Sequence, residues 1–214
     1  EVEQDKVAGV PIEQVEELAD VMVNCEFGAL FFGLGLTMNE ARLHNISAAI
    51  ALVSDLNRVT KFVIMPMRGH FNVAGANAAS LWQTGYPFAV DFSHGYPRYN
   101  PGETTAVDIL ARRECDAAFI VASDPVSNFP KAASDHLANI PTIVIDPRYT
   151  PTTEIAEVVI PAAYAGIEAE GIAYRMDLVP LRLRKLVEPP EGCLPDVEII
   201  QAILRRVREI KRGG

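Results

Sequence analysis

Short apolar segments alternate with longer segments of helical periodicity along this chain. Apolar side chains recur at helical spacing after Pro11 and between Leu43 and Leu56, where Asn39 is the expected helix cap. Short apolar runs at 29–32, 62–65, 117–121, 142–145 and 158–160 are predicted strands, and the last predicted helix covers 196–211. This alternation predicts an α/β fold, a doubly wound and mostly parallel sheet of the Rossmann-like type.

Each predicted strand is followed by glycine or by small polar residues. The five strand ends are Gly33-Leu34-Gly35, Arg68-Gly69-His70, Ser123-Asp124-Pro125, Asp146-Pro147-Arg148, and Pro161 leading to Gly166. Ligands of open parallel sheets bind beyond the carboxyl ends of the strands. The clustering therefore predicts a ligand-binding edge.

The first strand end resembles half of a dinucleotide-binding fingerprint. Gly33 and Gly35 allow a tight turn and a close approach of backbone to phosphate. Met38 stands where the third glycine belongs, so a plain strand-to-helix turn is an equal alternative. An unrelated nicotinamide-binding module is a further alternative, although the second predicted strand lacks the acidic residue that such a module needs at its end.

Two later strand ends suit a nucleotide. A carboxylate at a strand end accepts two parallel hydrogen bonds, and the edge of guanine offers such a pair of donors. Hydroxyl groups at the start of a helix suit phosphate or ribose. The predicted binding residues here are Ser123, Asp124, Pro125, Asp146, Arg148, Thr150, Thr152 and Thr153. The alternative is that Asp146 and Thr152 only cap a turn and a helix.

Residues 66–103 are crowded with glycine, proline, asparagine and aromatic residues. This composition predicts an irregular, pocket-forming insertion, and its aromatic side chains argue against disorder. Arg68, His70 and Asn72 stand at its start, where cationic and polar groups can hold a small anionic substrate. They are the predicted catalytic residues.

Composition narrows the class of partner. A net charge of -9 argues against nucleic acid, and the lack of a long apolar run argues against a membrane span. The three cysteines are scattered, which predicts reduced thiols in a cytoplasmic protein and no metal site within the chain. We expect one α/β domain over 1–214 with an extended segment at 172–214, and the first residue, Glu1, suggests a fragment or a processed product.

Several long motifs resemble one family, the B subunit of formylmethanofuran dehydrogenase, among the molybdopterin oxidoreductases. The similarity runs through nearly the whole chain. The motifs are Phe32-Gly-Leu-Gly-Leu-Thr37, Asp55-Leu-Asn-Arg-Val-Thr-Lys-Phe62, the run 68–77, Gly95-Tyr-Pro-Arg-Tyr-Asn-Pro-Gly102, Ile145-Asp-Pro-Arg148, Tyr174-Arg-Met-Asp177, Asp177-Leu-Val-Pro-Leu-Arg-Leu-Arg-Lys185 and Glu188-Pro-Pro190.

The resemblance implies a tungsten or molybdenum enzyme of one-carbon metabolism and methanogenesis. Such an enzyme reduces carbon dioxide to formate, which a partner subunit transfers to methanofuran. Two pyranopterin (molybdopterin) guanine dinucleotides hold the metal. By the resemblance, Gly33, Leu34 and Gly35 approach the phosphates, the residues at 123–125 and 146–153 recognise the nucleotide, and Arg68, His70 and Asn72 face the pterin and the metal.

The resemblance covers the carboxyl-terminal half of that subunit. The half with the cysteines for an iron-sulfur cluster and for the metal has no counterpart here, so this half alone is not expected to be active. The expected partners are that amino-terminal half and the other subunits of the complex. The alternative function is a metal-free scaffold subunit of a formyltransferase/hydrolase complex.

Overall fold

The computed structural model describes residues 5–213, in which helices and strands alternate along the chain. The strands are β1 Lys6–Val7, β2 Val10–Pro11, β3 Phe27–Phe32, β4 Lys61–Pro66, β5 Val90–Asp91, β6 Arg98–Tyr99, β7 Ala118–Val121, β8 Thr142–Asp146, β9 Val158–Pro161, β10 Gly171–Tyr174 and β11 Pro180–Leu183. The helices are α1 Ile12–Asn24, α2 Arg42–Leu56, α3 Val73–Thr84, α4 Ala106–Ala111, α5 Pro125–Asn128, α6 Lys131–Leu137, α7 Pro151–Ile155 and α8 Asp196–Gly213, with a 3₁₀ turn at Leu34–Leu36.

The chain divides into two compact units, unit 1 over residues 1–71 and unit 2 over 72–214. Each unit contains its own parallel sheet, β3–β4 in unit 1 and β7–β8–β9 in unit 2. The predicted α/β class with parallel strands is therefore confirmed, and the five predicted strands are distributed over two sheets. The expectation of a single domain over 1–214 stays a prediction.

Unit 1 is built around a strand–helix–strand crossover. β3 and β4 pair in parallel from Phe27 opposite Lys61 to Phe32 opposite Pro66, and α2 connects them. Gly28 leaves room for the Phe62 ring, because a Cβ atom at this position would lie 2.0 Å from that ring and would force it to move. The predicted cap at Asn39 is wrong by two residues, since the cap position of α2 is Ala41.

Unit 2 has helices on both faces of its three-stranded sheet. On one face, Leu110 of α4 and Leu137 of α6 pack against Ile120. On the other face, Ile199 of α8 packs with Ile145. Successive strand residues point to opposite faces, and the helices cover one face of β7 and β8 and part of the other, where Phe119 and Ile143 remain 49% and 39% exposed. The doubly wound arrangement predicted from the sequence is present in this unit.

The stretch 66–103 is more regular than its composition predicts. Residues Val73–Thr84 form α3, and the short strands β5 and β6 pair as an antiparallel ladder. Alanine is abundant in α3, and alanine is the best helix former, which offsets the glycine and asparagine in the same segment. The prediction of an irregular segment is therefore wrong for 73–84. Aromatic packing holds the following part, where the Tyr86 and Tyr99 rings stack at 5.3 Å.

The segment 172–214 contains a hairpin that the sequence did not predict. β10 and β11 pair as antiparallel strands, with Gly171 opposite Leu183 and Tyr174 opposite Pro180. After the hairpin the chain returns to the sheet β7–β8–β9, where Leu194 forms a parallel bridge with Ala162, just beyond β9. Helix α8 follows as predicted. No helix in the described part of the chain is long and apolar enough to cross a membrane.

Candidate functional site

The two predicted strand-end loops of unit 1 leave one edge of its sheet. Phe32 and Pro66 are opposite each other at the ends of β3 and β4, and the Met67 amide donates a hydrogen bond of 2.7 Å to the Phe32 carbonyl. The loop that begins at Gly33 and the loop that carries Arg68 and His70 are therefore neighbours. The side chains of Arg68 and His70 are exposed.

The glycines of the first loop are not explained by contacts inside the chain. Apart from its neighbours in the chain, a Cβ atom added at Gly33 or at Gly35 would meet no atom of residues 5–213 within 4 Å. Gly33 has φ -116°, which any residue adopts. A cleft of about 670 Å³ lies beside the loop, lined by both glycines, Asn45, Ala48 and Leu52. The loop backbone is thus open to close approach by a molecule from outside.

In unit 2 the Asp124 side chain connects two strand-end loops. Its Oδ1 accepts hydrogen bonds from the Thr152 hydroxyl at 2.5 Å and from the Thr152 amide at 3.1 Å. The same hydroxyl accepts from the Val126 amide at 3.1 Å. Thr152 is fully buried, with 0% of its surface exposed. These bonds fix the loop after β7 against the start of α7.

The hydrogen bonds to Asp124 affect its protonation state. Burial opposes ionisation, but hydrogen bonds from Ser127 and Thr152 outweigh it, so the pKa of Asp124 lies below its usual value. Asp124 is consequently held as a carboxylate. Its charge is compensated by hydroxyl and amide donors of the protein itself.

The threonines at the start of α7 cap the helix. The Thr150 hydroxyl accepts from the Thr153 amide, while the Thr153 hydroxyl accepts from the Thr150 amide, which makes a reciprocal capping box. The alternative that Thr152 caps this helix is wrong, because Thr150 occupies the cap position. All three threonine hydroxyls make hydrogen bonds within the loops.

Asp146 ends β8 and lies opposite Pro161 of β9. Only 8% of its surface is exposed, and its Oδ1 accepts a hydrogen bond of 2.8 Å from the Arg148 amide, as the turn-capping alternative expected. The Arg148 guanidinium lies 5.9 Å from the centre of the Tyr164 ring. Ser123, at the neighbouring strand end, is exposed. Asp146, Arg148 and Ser123 therefore share the carboxyl edge of the unit 2 sheet.

One acidic residue at this edge was not predicted as a site residue from the sequence. It is Asp196, in the first turn of α8. Its Oδ1 is buried and has no hydrogen-bond partner within the described residues. Burial raises the pKa of this carboxyl, and the nearby carboxylate of Asp146 raises it further. An aspartate at the start of a helix is common, so nothing in the sequence signals that this one is buried.

Asn72 belongs to unit 2, whereas the strand-end loop that carries Arg68 and His70 belongs to unit 1. The Asn72 Nδ2 donates to the Ile172 carbonyl at 3.3 Å, and its Oδ1 accepts from the Tyr174 amide at 2.8 Å. Its side chain therefore joins the start of α3 to β10. A Cβ atom at Gly75 would lie 2.3 Å from the Asn72 Oδ1, so this link also depends on a glycine.

The predicted site residues thus fall into two groups. Gly33, Leu34, Gly35, Arg68 and His70 lie at the edge of the unit 1 sheet, and the residues at 123–125 and 146–153 lie at the edge of the unit 2 sheet. Within residues 5–213, no group of three or more His, Cys, Asp or Glu side chains is placed to hold a metal ion. The fold is α/β with parallel strands, a class in which ligands generally bind beyond the carboxyl ends of the strands.

Comparison with known proteins identifies the relatives. The chain is 55% identical over 210 residues to the B subunit of the tungsten-containing formylmethanofuran dehydrogenase 2 of Methanocaldococcus jannaschii, and 50% identical over 210 residues to the protein of the same name from Methanococcus maripaludis. Each alignment covers 98% of this chain and 48% of the relative. The chain matches the carboxyl-terminal half of the B subunit of formylmethanofuran dehydrogenase, and the predicted resemblance is confirmed.

A solved structure supports the fold. The chain is similar, with a TM-score of 0.69 and 23% identity, to a chain in the formyltransferase/hydrolase complex (FhcABCD) from Methylorubrum extorquens, determined with methylofuran. The similarity covers 92% of this chain and 53% of that one. No protein-family model matches the chain. The chain therefore spans about half the length of each of these three proteins.

Proposed function

We propose that this chain is the pterin-dinucleotide-binding half of the catalytic subunit of a tungsten or molybdenum formylmethanofuran dehydrogenase. The whole enzyme reversibly reduces carbon dioxide to formate for the formylation of methanofuran. The observation that carries the proposal is the 55% identity, over 98% of this chain, to a subunit of a tungsten-containing formylmethanofuran dehydrogenase. When bound, the metal and its pterins supply the two-electron chemistry.

The side chains at the unit 2 edge fit a guanine nucleotide. Asp146 is a largely buried acceptor at a strand end, and Asp196 presents a buried oxygen that lacks a donor among the described residues. Because the edge of guanine carries adjacent N–H donors, it suits such acceptors. Ser123 and Arg148 are exposed at the same edge, where they are available to ribose and phosphate. Asp124 and the threonines hold the loops in place.

The loops of unit 1 fit an anion. The open backbone at Gly33 and Gly35 admits a phosphate, and Arg68 and His70 follow the adjacent strand end. A guanidinium beside an imidazole holds a small carboxylate such as formate and excludes cations from the same position. We assign to Arg68 and His70 the orientation of the one-carbon substrate, and to Asn72 the anchoring of the start of α3 to β10.

The experiment is analysis of the intact purified complex for tungsten, molybdenum and guanine nucleotide, with Asp146→Ala beside the wild type. We expect metal and nucleotide in the wild type and a reduced nucleotide content in Asp146→Ala. Glu198→Gln is the matched control, since Glu198 is exposed on α8, and it should retain the wild-type content. Equal nucleotide content in wild type and Asp146→Ala would refute the role of Asp146.

A scaffold function is the second candidate, and the similarity to a formyltransferase/hydrolase complex supports it. A scaffold subunit would keep the fold without the metal and the pterin. Absence of tungsten, molybdenum and pterin from the intact complex, together with retained formyl transfer, would favour the scaffold over the dehydrogenase.

A further inference from the structure

Helix α8 carries an apolar strip that residues 5–213 leave largely uncovered. Ile199 of this helix packs in the core, whereas four other apolar residues are between 39% and 58% exposed. The strip consists of Val197, Ile200, Leu204 and Val207. Spacings of three, four and three positions place these residues in one line along the helix, as in the contact seam between two packed helices. The strip therefore suits another helix.

Two cations border the strip. Arg208 follows Leu204 by four positions and Lys211 follows Val207 by four, so each lies next to the strip on the helix surface. Within residues 5–213 neither cation is in an ion pair, whereas another arginine of α8 pairs with Glu209 at 3.1 Å. Cations beside an apolar seam select a partner with acidic residues in the facing positions. We therefore expect the partner helix to carry Asp or Glu beside its apolar residues.

The sheet under α8 has an open row of apolar residues on the same face. Phe119, Ile143 and Val158 are opposite one another on β7, β8 and β9. Each lies two positions before a strand residue that packs in the core cluster of α8, so its side chain points to the α8 face. The three are between 39% and 49% exposed. Because parallel sheets are generally covered on both faces, this row also favours a helix beside α8.

The size of this open surface favours an occupant from the same subunit. The strip and the row together expose roughly 600 Å² of apolar surface, whereas a stable contact between separate proteins buries about 800 Å² on each partner. A segment of the same polypeptide needs less area, because its effective concentration is high. The chain covers 48% of its relatives from Methanocaldococcus jannaschii and Methanococcus maripaludis, so those subunits have an amino-terminal half of similar length.

We propose that a helix of the amino-terminal half of the subunit lies beside α8 on this face. Its apolar residues contact the strip and the row, and its acidic residues lie beside Arg208 and Lys211. The apolar contact stabilises the joined halves, and the two cations select an acidic helix over others. This contact requires neither the metal nor the pterin. Another subunit of the complex and a second copy of the chain are the competing occupants.

Carbodiimide cross-linking of the intact complex, followed by mass spectrometry, identifies the occupant. The reagent joins a lysine amine directly to a carboxylate that touches it. We expect Lys211 to be joined to an Asp or Glu of the amino-terminal half. Lys131 is the internal control, since its amine lies 2.6 Å from the Asp135 carboxylate and the two should be joined. The inference is overturned if Lys211 is joined only to another subunit or to residues 1–214, or forms no link while Lys131 does.

A charge placed on the strip tests the apolar contact. Leu204→Glu and Ala202→Glu each add one negative charge at an exposed position of α8, on nearly opposite sides of the helix. In the intact complex, hydrogen exchange of 203–213 should rise at least about tenfold in Leu204→Glu and stay within about threefold of the wild type in Ala202→Glu. Equal exchange in the two variants would overturn the inference. Neither measurement depends on the cofactor, so the proposed function is tested separately by metal and nucleotide content.

Discussion

The Thr152 hydroxyl connects two strand-end loops of unit 2. The substitution Thr152→Val measures how much this connection stabilises the two loops. Valine has nearly the same shape as threonine but neither donates nor accepts. The substitution removes the 2.5 Å hydrogen bond to the Asp124 carboxylate and leaves the Val126 amide without its acceptor at 3.1 Å. The Thr152 amide still donates to Asp124, so the carboxylate keeps one of its partners.

The expected cost follows from these two losses. A hydrogen bond to a charged group contributes about 1.5–3 kcal/mol, and an unsatisfied buried donor costs about 1–3 kcal/mol. Because Asp124 and Val126 are only half-buried, water recovers part of both losses. We therefore expect a local destabilisation of about 2 kcal/mol, which corresponds to about a thirtyfold larger open population.

Hydrogen exchange measured by mass spectrometry on the intact subunit is the suitable assay, because it reports on each segment separately. The peptides to follow contain the Phe129 amide, which bonds to Pro125, and the Glu154 amide, which bonds to Thr150. Thr142→Val is the matched control. Thr142 is also 0% exposed, but its hydroxyl donates only to carbonyl oxygens, at 3.1 Å to Ile140, so exchange should rise about fivefold or less.

The effect also depends on pH with a defined sign. Because its pKa is depressed in the folded state, Asp124 contributes stability above its unfolded pKa of about 3.9, and this contribution is lost as the pH falls through the folded pKa. The difference between wild type and Thr152→Val should therefore shrink below about pH 4. A change of less than about threefold at pH 7, or an equal change in Thr142→Val, would refute this account of the Thr152 hydroxyl.

Three further predictions use the same protein. His70→Ala in the complete enzyme should lower carbon dioxide reduction with its metal content retained; unchanged turnover would remove His70 from the mechanism. Asn72→Ala should accelerate exchange of the Tyr174 amide about tenfold, because its 2.8 Å hydrogen bond is lost, and an unchanged rate would contradict the link to β10. Asp196→Asn should raise the unfolding temperature at pH 7 but not near pH 4, because a raised pKa makes ionised Asp196 costly only above its unfolded value; a lower unfolding temperature at pH 7 would contradict this.

Periodicity was enough to predict the five parallel strands and the helices α1, α2 and α8. The strands predicted at 62–65, 117–121, 142–145 and 158–160 agree with the observed strands to within one residue at each end. These strands are runs of consecutive apolar residues, as is typical of parallel sheets with helices on both faces. Such runs are easily distinguished from the polar loops between them. The strand Phe27–Phe32 begins two residues before the predicted 29–32, because Phe27 and Gly28 join the pairing with β4.

The missed elements include the short antiparallel pairs β1–β2, β5–β6 and β10–β11, and helix α3. The pairing of β10 with β11 joins residues across a turn that contains no Asn-Gly or Asp-Gly signal. Helix α3 lies in a segment where glycine and asparagine suggested a loop, yet the Asn72 side chain anchors its start to β10, a hundred residues later. A pattern in the local sequence does not reveal a contact with a residue a hundred positions away, so the start of α3 could not be predicted from it.

The sequence predicted which residues stand at the strand ends, but it did not predict the contacts that each of them makes. Asp124 and the three threonines carry the polar groups that the sequence assigned to nucleotide binding, and the protein uses their hydrogen bonds to hold its own loops. Asp196 shows the reverse, since its sequence position suggested an ordinary helix start. Only the packing of α8 against the sheet buries its oxygen.

Contacts within the chain account for some of the candidate residues but not for others. Gly28 is explained by the Phe62 ring, and Asp124 is explained by Thr152. The glycines at 33 and 35 face open space, and the Asp196 Oδ1 lacks a donor among the described residues. Both positions are at the sheet edges where ligands of parallel sheets generally bind. This is the ground on which we propose a phosphate at the edge of unit 1 and a nucleotide at the edge of unit 2.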